Sequence, residues 1–321
     1  MKTQTSKTLK LAVAAAAALL APVLAGANPP RQIWRAAHRG PPAAATPASS
    51  QYRLVTIDAP GASETDAIGV NNTGQVAGYY LDAAGNPHGF LWENGGLQTV
   101  DYPGAPLTQG GHVNDVGLII GNYGTFTSQQ AAAYNTRLAT WTTLPDIPGL
   151  PVIIGHGINN SGVGAGGACN GNAEVPLNCV GWTWDRGAYS FFTDPQADKT
   201  QVGTIADGIN NIGQVVGHFQ DAGSTFHGFL KNGDHFTTID MPAALSTFAL
   251  DINDPGEIVG FYFDTTGTPH GFVRGRDGQS TTFDVPGAVG TVLYGTDDRG
   301  DLSGLYMDQA GNPHGFVAFR K

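Results

Sequence analysis

Charge is scarce in this 321-residue chain: 13% of residues are Asp, Glu, Lys or Arg, with 16 basic against 26 acidic. The shortage of Lys and Arg argues against nucleic acid or an anionic membrane surface as partner, because both are held by basic patches. Cysteine is almost missing, with only Cys169 and Cys179, too few for the four-ligand zinc sites that thiolates build. No helical period is sustained, and after Leu24 no apolar run approaches the roughly 20 residues that span a bilayer. Gly-x-Ser-x-Gly, His-Glu-x-x-His, a phosphate loop and a dinucleotide fingerprint are all absent, so no reaction is spelled out and no cofactor is expected.

What the chain has in quantity is Gly (46) and Pro (20) among short apolar runs, a composition that favours many short strands and turns. The first 27 residues read as an export leader. Lys2, Lys7 and Lys10 precede the apolar stretch Leu11 to Leu24, and Ala25-Gly26-Ala27 offers a small-x-small cleavage site. Loss of those three lysines takes the formal charge from −10 to −13. Residues 28–51, rich in Pro, Ala and Ser, read as a flexible linker, and 52–321 as the folded domain. In an exported chain Cys169 and Cys179 are expected to form a disulfide that braces an enlarged loop.

From residue 54 onward a unit of about 44 residues repeats six times. Each copy centres on an Asn/Asp-rich turn: Asn71–Gly74, Asn114–Gly117, Asn159–Gly162, Asn210–Gly213, Asn253–Gly256 and Asp297–Gly300, at spacings of 43, 45, 51, 43 and 44 residues. Asn and Asp tolerate left-handed backbone and Gly adopts positive φ freely, which is hairpin chemistry. Four strands fit each unit: 67–71 before the turn, 75–80 after it, 88–92 opening on His-Gly-Phe, and 98–101 ending in Asp. Six four-stranded antiparallel units predict an all-β, six-bladed propeller. The domain opens on a lone outer-type strand, 54–58, and its last unit stops after a third strand, 314–319. Pairing the two closes a ring and hides both edges, which an open solenoid would leave bare.

The run Gly208-Ile209-Asn210-Asn211-Ile212-Gly213-Gln214-Val215-Val216-Gly217, with the later His-Gly-Phe, resembles the extracellular HAF repeat family, named for its His-Ala-Phe tripeptide. The resemblance covers the whole mature domain. It departs where Gly89, Gly228, Gly271 and Gly315 stand for the family's Ala, and where the second and third units lack the His. It implies an exported bacterial repeat protein and assigns no catalytic residue.

Two sets of polar residues stand out. His88, His227, His270 and His314 open third strands, and Asp101, Asp240, Asp284 and Asp58 end the outer strands beside them. In the second and third units Val180 or the Gln130/Ala131 region replaces the His, and the outer strands there are irregular. These pairs are expected to be structural, fixing strand register. The second set lies on the first strands, which converge on the axis. Two residues before each turn stand Gly69, His112, Gly157, Gly208, Asp251 and Gly295; one position earlier stand Ile68, Gly111, His156, Asp207, Leu250 and Tyr294. His112, His156, Asp207 and Asp251 are therefore polar exceptions facing a channel. They suit a cation or acid–base work, or simply water and backbone.

Weaker signals read blandly. The loops 82–87, 264–269 and 308–313 lack the alternating acids of a calcium loop and read as turns. Arg299-Gly300-Asp301 falls inside a hairpin turn. The expectation is a monomeric, secreted or periplasmic binding module for a protein or glycan. The loops between outer and first strands and between second and third strands share one face and differ most between units. Tyr79, Tyr80, Trp182 and Trp184 supply aromatic area, most of it expected to be blade packing. The alternative is a propeller hydrolase or lyase that uses polar groups at the channel.

Overall fold

A computed structural model of the chain describes residues 47–125, 127–172 and 175–321. The expected leader and most of the expected linker lie outside the described residues. Residues Pro47–Gln51, at the end of that linker, form a 3-10 turn whose Gln51 carbonyl accepts from Lys321 N–H.

The described residues form six four-stranded antiparallel sheets and no α-helix. In the first blade the strands are Glu64–Val70, Val76–Leu81, Pro87–Glu93 and Gly96–Thr99, running from the axis outward. The inner strands of the other five are Leu107–Val113, Val152–Ile158, Thr204–Ile209, Ser246–Ile252 and Gly290–Thr296. Each touches the inner strands of the blades before and after it, and the sixth touches the first, so the ring is closed. The outer strand of the last blade is Tyr52–Ile57, paired with Pro313–Arg320 in the register Leu54↔Ala318 to Ile57↔Gly315. All-β, six blades, and closure by the N-terminal strand are thus as the repeat arithmetic predicts. The closing strand starts two residues earlier than expected.

Between blades the core is apolar and rich in aromatics. In His-Gly-Phe the third residue shares a face with the His but lies further into the strand, and Phe90, Phe229, Phe272 and Phe316 are all buried, as is Trp182 in the third blade. Blade 3 is elongated at its second and third strands, Gly164–Asn172 and Val175–Asp185, and Cys169 is disulfide-bonded to Cys179 across them.

Asn and Asp do more at the turns than shape a hairpin. The first turn residue caps its own turn, as when Asn71 Oδ1 accepts from Thr73 and Gln75 N–H. Its amide also donates to the next blade: Asn71 to Asn114 O, Asn114 to Asn159 O, Asn159 to Asn210 O, Asn210 to Asn253 O, and Asn253 to Asp297 O, at 2.8–3.2 Å. The second turn residue closes a further ring. The backbone N–H groups of Asn72, Asp115, Asn160, Asn211, Asp254 and Asp298 each donate to the side-chain oxygen of the next blade's equivalent. Asp297 has no amide to offer. Its carboxylate takes Arg299 instead, and burial pushes its pKa up to about 6. Asp301, 4% exposed, is paired with the same Arg299, so the Arg-Gly-Asp tripeptide is folded on itself.

Candidate functional site

Every inner strand carries a β-bulge at the same place, marked by register shifts at Ala67/Gly69, Gly110/Val113, Gly155/Gly157, Ala206/Gly208, Ala249/Asp251 and Leu293/Gly295. A bulge re-aims the extra side chain. Five of the extra residues, Ile68, His156, Asp207, Leu250 and Tyr294, line one axial cavity of about 60 Å³. The residue after the bulge is Gly in four blades because its Cα presses on the next inner strand. A Cβ there would come within 2.5–2.8 Å of backbone atoms at Gly69, Gly157, Gly208 and Gly295. Blades 2 and 5 break that rule with His112 and Asp251.

Those two blades face each other across a six-blade ring, and the two exceptions meet. His112 Nδ1 lies 3.3 Å from Asp251 Oδ1, while Asp251 Oδ2 accepts Thr296 N–H. Burial alone would lower the His112 pKa, but the Asp251 and Asp207 carboxylates outweigh it and hold it above the usual imidazole value. His112 lines both the 60 Å³ cavity and a second one of about 70 Å³, which is ringed by the turn residues at the other end of the axis.

His156 and Asp207 form a separate cluster. Asp207 Oδ1 is 2.8 Å from His156 Nδ1, and Asp207 Oδ2 is 2.7 Å from Nδ1 of His218. His218 was not singled out from sequence. It is buried beside the rings of Phe226 and Phe248. Burial pushes the Asp207 carboxyl up, but His218 and then His156 outweigh it and hold it below the ordinary range. The four channel residues are therefore two sets, not one. Among the described residues no group of three or more His, Cys, Asp or Glu is arranged to hold a metal ion.

Sequence reasoning also passed over the residues just outside the bulges. In register, the inner and second strands present Asp66↔Tyr79, Gln109↔Asn122, Ile154↔Gly167, Ile205↔His218, Phe248↔Phe261 and Val292↔Leu305. The signal was available: the second member follows the Gly of each second strand, as in Gly78-Tyr79 and Gly121-Asn122. Asp66 is fully buried, accepts from Tyr294 Oη at 3.1 Å, and lies beside Tyr79 and the Glu64 carboxyl. Burial, reinforced by the Glu64 carboxylate, raises its pKa far above the usual value. Gln109 and Asn122 are each 7% exposed and line the 60 Å³ cavity. Asn122 Oδ1 accepts Gly155 N–H at 2.7 Å, which turns its NH2 group away from that bond. Among the described residues neither that NH2 group nor the Gln109 carboxamide has a hydrogen-bond partner, and neither does His156 Nε2.

At the rim, Nδ1 of His88, His227, His270 and His314 lies 2.8–2.9 Å from Asp101, Asp240, Asp284 and Asp58. A second carboxylate, of Asp82, Asp221, Asp264 or Asp308, lies 3.4–3.7 Å from each Nε2. The rings stack on Tyr80, Phe219, Tyr262 and Tyr306. Where His is missing, Gln130 and Val180 hold its register position. The 82–87 and 308–313 loops are turns closed on Asp82 and Asp308, whose carboxylates accept two backbone N–H groups and an Asn amide. Trp182 is buried blade packing, and Tyr79, also buried, reaches the wall of the 60 Å³ cavity. An outer pocket at the ring seam gathers Arg53, Arg299, Arg320 and Lys321, but Arg299 and Arg320 are spent on Asp297, Asp301 and Glu257.

The geometry defines a six-bladed β-propeller with His112 and Asp251 meeting across its axis. Among solved structures the chain is similar to TolB from Acinetobacter baumannii (TM-score 0.53, 11% identity), covering 77% of this chain and 64% of that one, less than two thirds of its length. It is similar to AofleA from Arthrobotrys oligospora (TM-score 0.53, 13% identity, 86% and 89% covered). It is also similar to a putative TolB from Agrobacterium tumefaciens (TM-score 0.53, 14% identity, 80% and 91% covered). At such identities the likeness is one of fold. No protein-family model and no curated protein sequence matches the chain.

Proposed function

We propose that this chain is an exported propeller of the HAF-repeat type that works as a binding module for an extracellular glycan or protein, with the 60 Å³ axial cavity as its ligand site. The observation that carries this reading is the pair Gln109 and Asn122. Neither the Gln109 carboxamide nor the Asn122 NH2 group meets a protein partner, and both residues line one cavity. Such groups are kept where water or a ligand answers them. The cavity lies toward the starts of the inner strands, the same end as the most variable loops, so a ligand seated there also meets those loops. Export rests on the leader-like first 27 residues, and the Cys169–Cys179 disulfide accords with an oxidising compartment. The four rim His–Asp pairs are read as struts. Among the described residues no helix is long and apolar enough to cross a membrane.

A second reading, a hydrolase or lyase, is favoured by one observation. Asp207 accepts from His156 Nδ1, which leaves Nε2 as a base on the cavity wall. A glycan array and a panel of glycosidase and lyase substrates, run on residues 28–321, separate the two. Binding without turnover upholds the module. Turnover that is lost in Asp207→Asn moves the function to catalysis, and neither binding nor turnover sinks both.

A further inference from the structure

The axial cavity has a chemistry that narrows its ligand. We propose that it takes the edge of a neutral, hydroxyl-bearing sugar, with Gln109 and Asn122 as the residues that set specificity. This rests on the reading of the cavity as a ligand site.

The wall alternates donors and acceptors. The Asn122 NH2 group donates, because its oxygen is held by Gly155 N–H. The Gln109 carboxamide offers one of each. His156 gives its Nδ1–H to a carboxylate that can only accept, so neutral His156 presents Nε2 as an acceptor. Tyr294 gives its proton to Asp66, so its oxygen accepts. A hydroxyl both donates and accepts, and a pair of adjacent hydroxyls can answer a neighbouring donor and acceptor together. A carboxylate or phosphate only accepts and would leave His156 and Tyr294 unmet. An ammonium only donates and would leave the Asn122 NH2 group unmet.

Charge points the same way. Asp207 is spent on His156 and His218, and Asp251 on His112 and Thr296 N–H. No charged group on the wall is free to neutralise an ionic ligand, and desolvating an unpaired charge is costly. Ile68 and Leu250 add apolar surface for the C–H groups of a sugar. The volume of about 60 Å³, at about 30 Å³ of liquid volume per water, holds about two waters. That room suits one edge of a ring carrying a pair of hydroxyls, with the rest of a glycan outside among the loops.

The test is titration of residues 28–321 with galactose, glucose, mannose and fucose, and with galacturonate and glucosamine as charged counterparts, followed by saturation-transfer NMR and calorimetry. At least one neutral sugar is expected to bind. Its charged counterpart should bind at least tenfold more weakly, and Gln109→Leu should weaken the neutral sugar by at least tenfold at an unchanged melting temperature. Gln109→Glu, nearly isosteric, supplies the second variant should Leu disturb the fold, and is expected to weaken binding as much. Preference for a charged sugar that is still lost in Gln109→Leu overturns the ligand class and keeps the site. Binding that both variants leave intact, or no binding by any sugar, overturns the site itself.

Discussion

Blades 1 and 2 and blades 5 and 6 place the same two register positions beside the axis and fill them with opposite chemistry. Blades 1 and 2 put Asp66–Tyr79 and Gln109–Asn122 there, while blades 5 and 6 put Phe248–Phe261 and Val292–Leu305. The second pair of blades merges into an apolar cluster with Phe226, Leu250, Phe263, Tyr294 and Met307. A six-fold backbone has no reason to do this. A core wants apolar residues at all buried positions, so the polar half is where packing has given way to something else. The cavity sits against that half.

The largest expected effect attacks the dry side. Phe248 is fully buried and stacks on Phe261 at 4.7 Å, so Phe248→Ala should lower stability by about 3–5 kcal/mol. Gln109→Leu, at the matching position of blade 2, should be neutral within about 1 kcal/mol, since it removes a buried amide that has no protein partner. Urea denaturation of both variants measures the contrast, and equal losses would erase it.

Next is the pH dependence of the polar side. Because the folded-state pKa of Asp66 is raised, the folded protein holds a proton that the unfolded chain releases above about pH 4. Stability therefore falls as pH climbs through that window, by at most about 1.4 kcal/mol per pH unit from one group. Asp66→Asn, which cannot ionise, should flatten this slope and be the more stable protein at pH 8. Melting temperatures of the two proteins across pH 4–8 decide it, and parallel profiles would contradict the assignment.

The smallest effect lies at the rim, where the same His–Asp pair recurs on both halves but is more enclosed at His270 than at His88. Asp58→Ala and His314→Ala should each cost less than about 1 kcal/mol, because these pairs are partly exposed. The double variant should add little to either single one. Replacing His88 and His270, one on each half, should give small losses, the larger at the more enclosed His270. Fully additive effects, or a large gap between blades 1 and 5, would show that the rim pairs are not equivalent struts.

Much of the fold was legible because its determinants are local and repeat. Turn chemistry at Asn71-Asn72-Thr73-Gly74 and its five relatives counts the blades, and the mismatched ends, 54–58 and 314–319, require closure. The candidate site was legible only in part. Counting back from the turn put His112, His156, Asp207 and Asp251 on converging strands but could not say which would touch. Turn propensity also explained Asn72 and Asp298 well enough on its own to hide their bonds to neighbouring blades. Gln109, Asn122 and His218 were missed because each is ordinary in its own strand and unusual only beside the same position in other blades.

The sequence by itself determined the period, the strand order, the blade count and the ring, since each follows from spacing and from the need to satisfy edges. Only the tertiary structure decided that His112 meets Asp251 across the axis, that Asp207 is shared by His156 and His218, and that two amides are left facing a cavity. Those contacts join residues 11 to 139 positions apart. The closed ring brings His112 to Asp251 and His156 to Asp207 from different blades, while pairing of the first two strands within a blade brings His218 to Asp207.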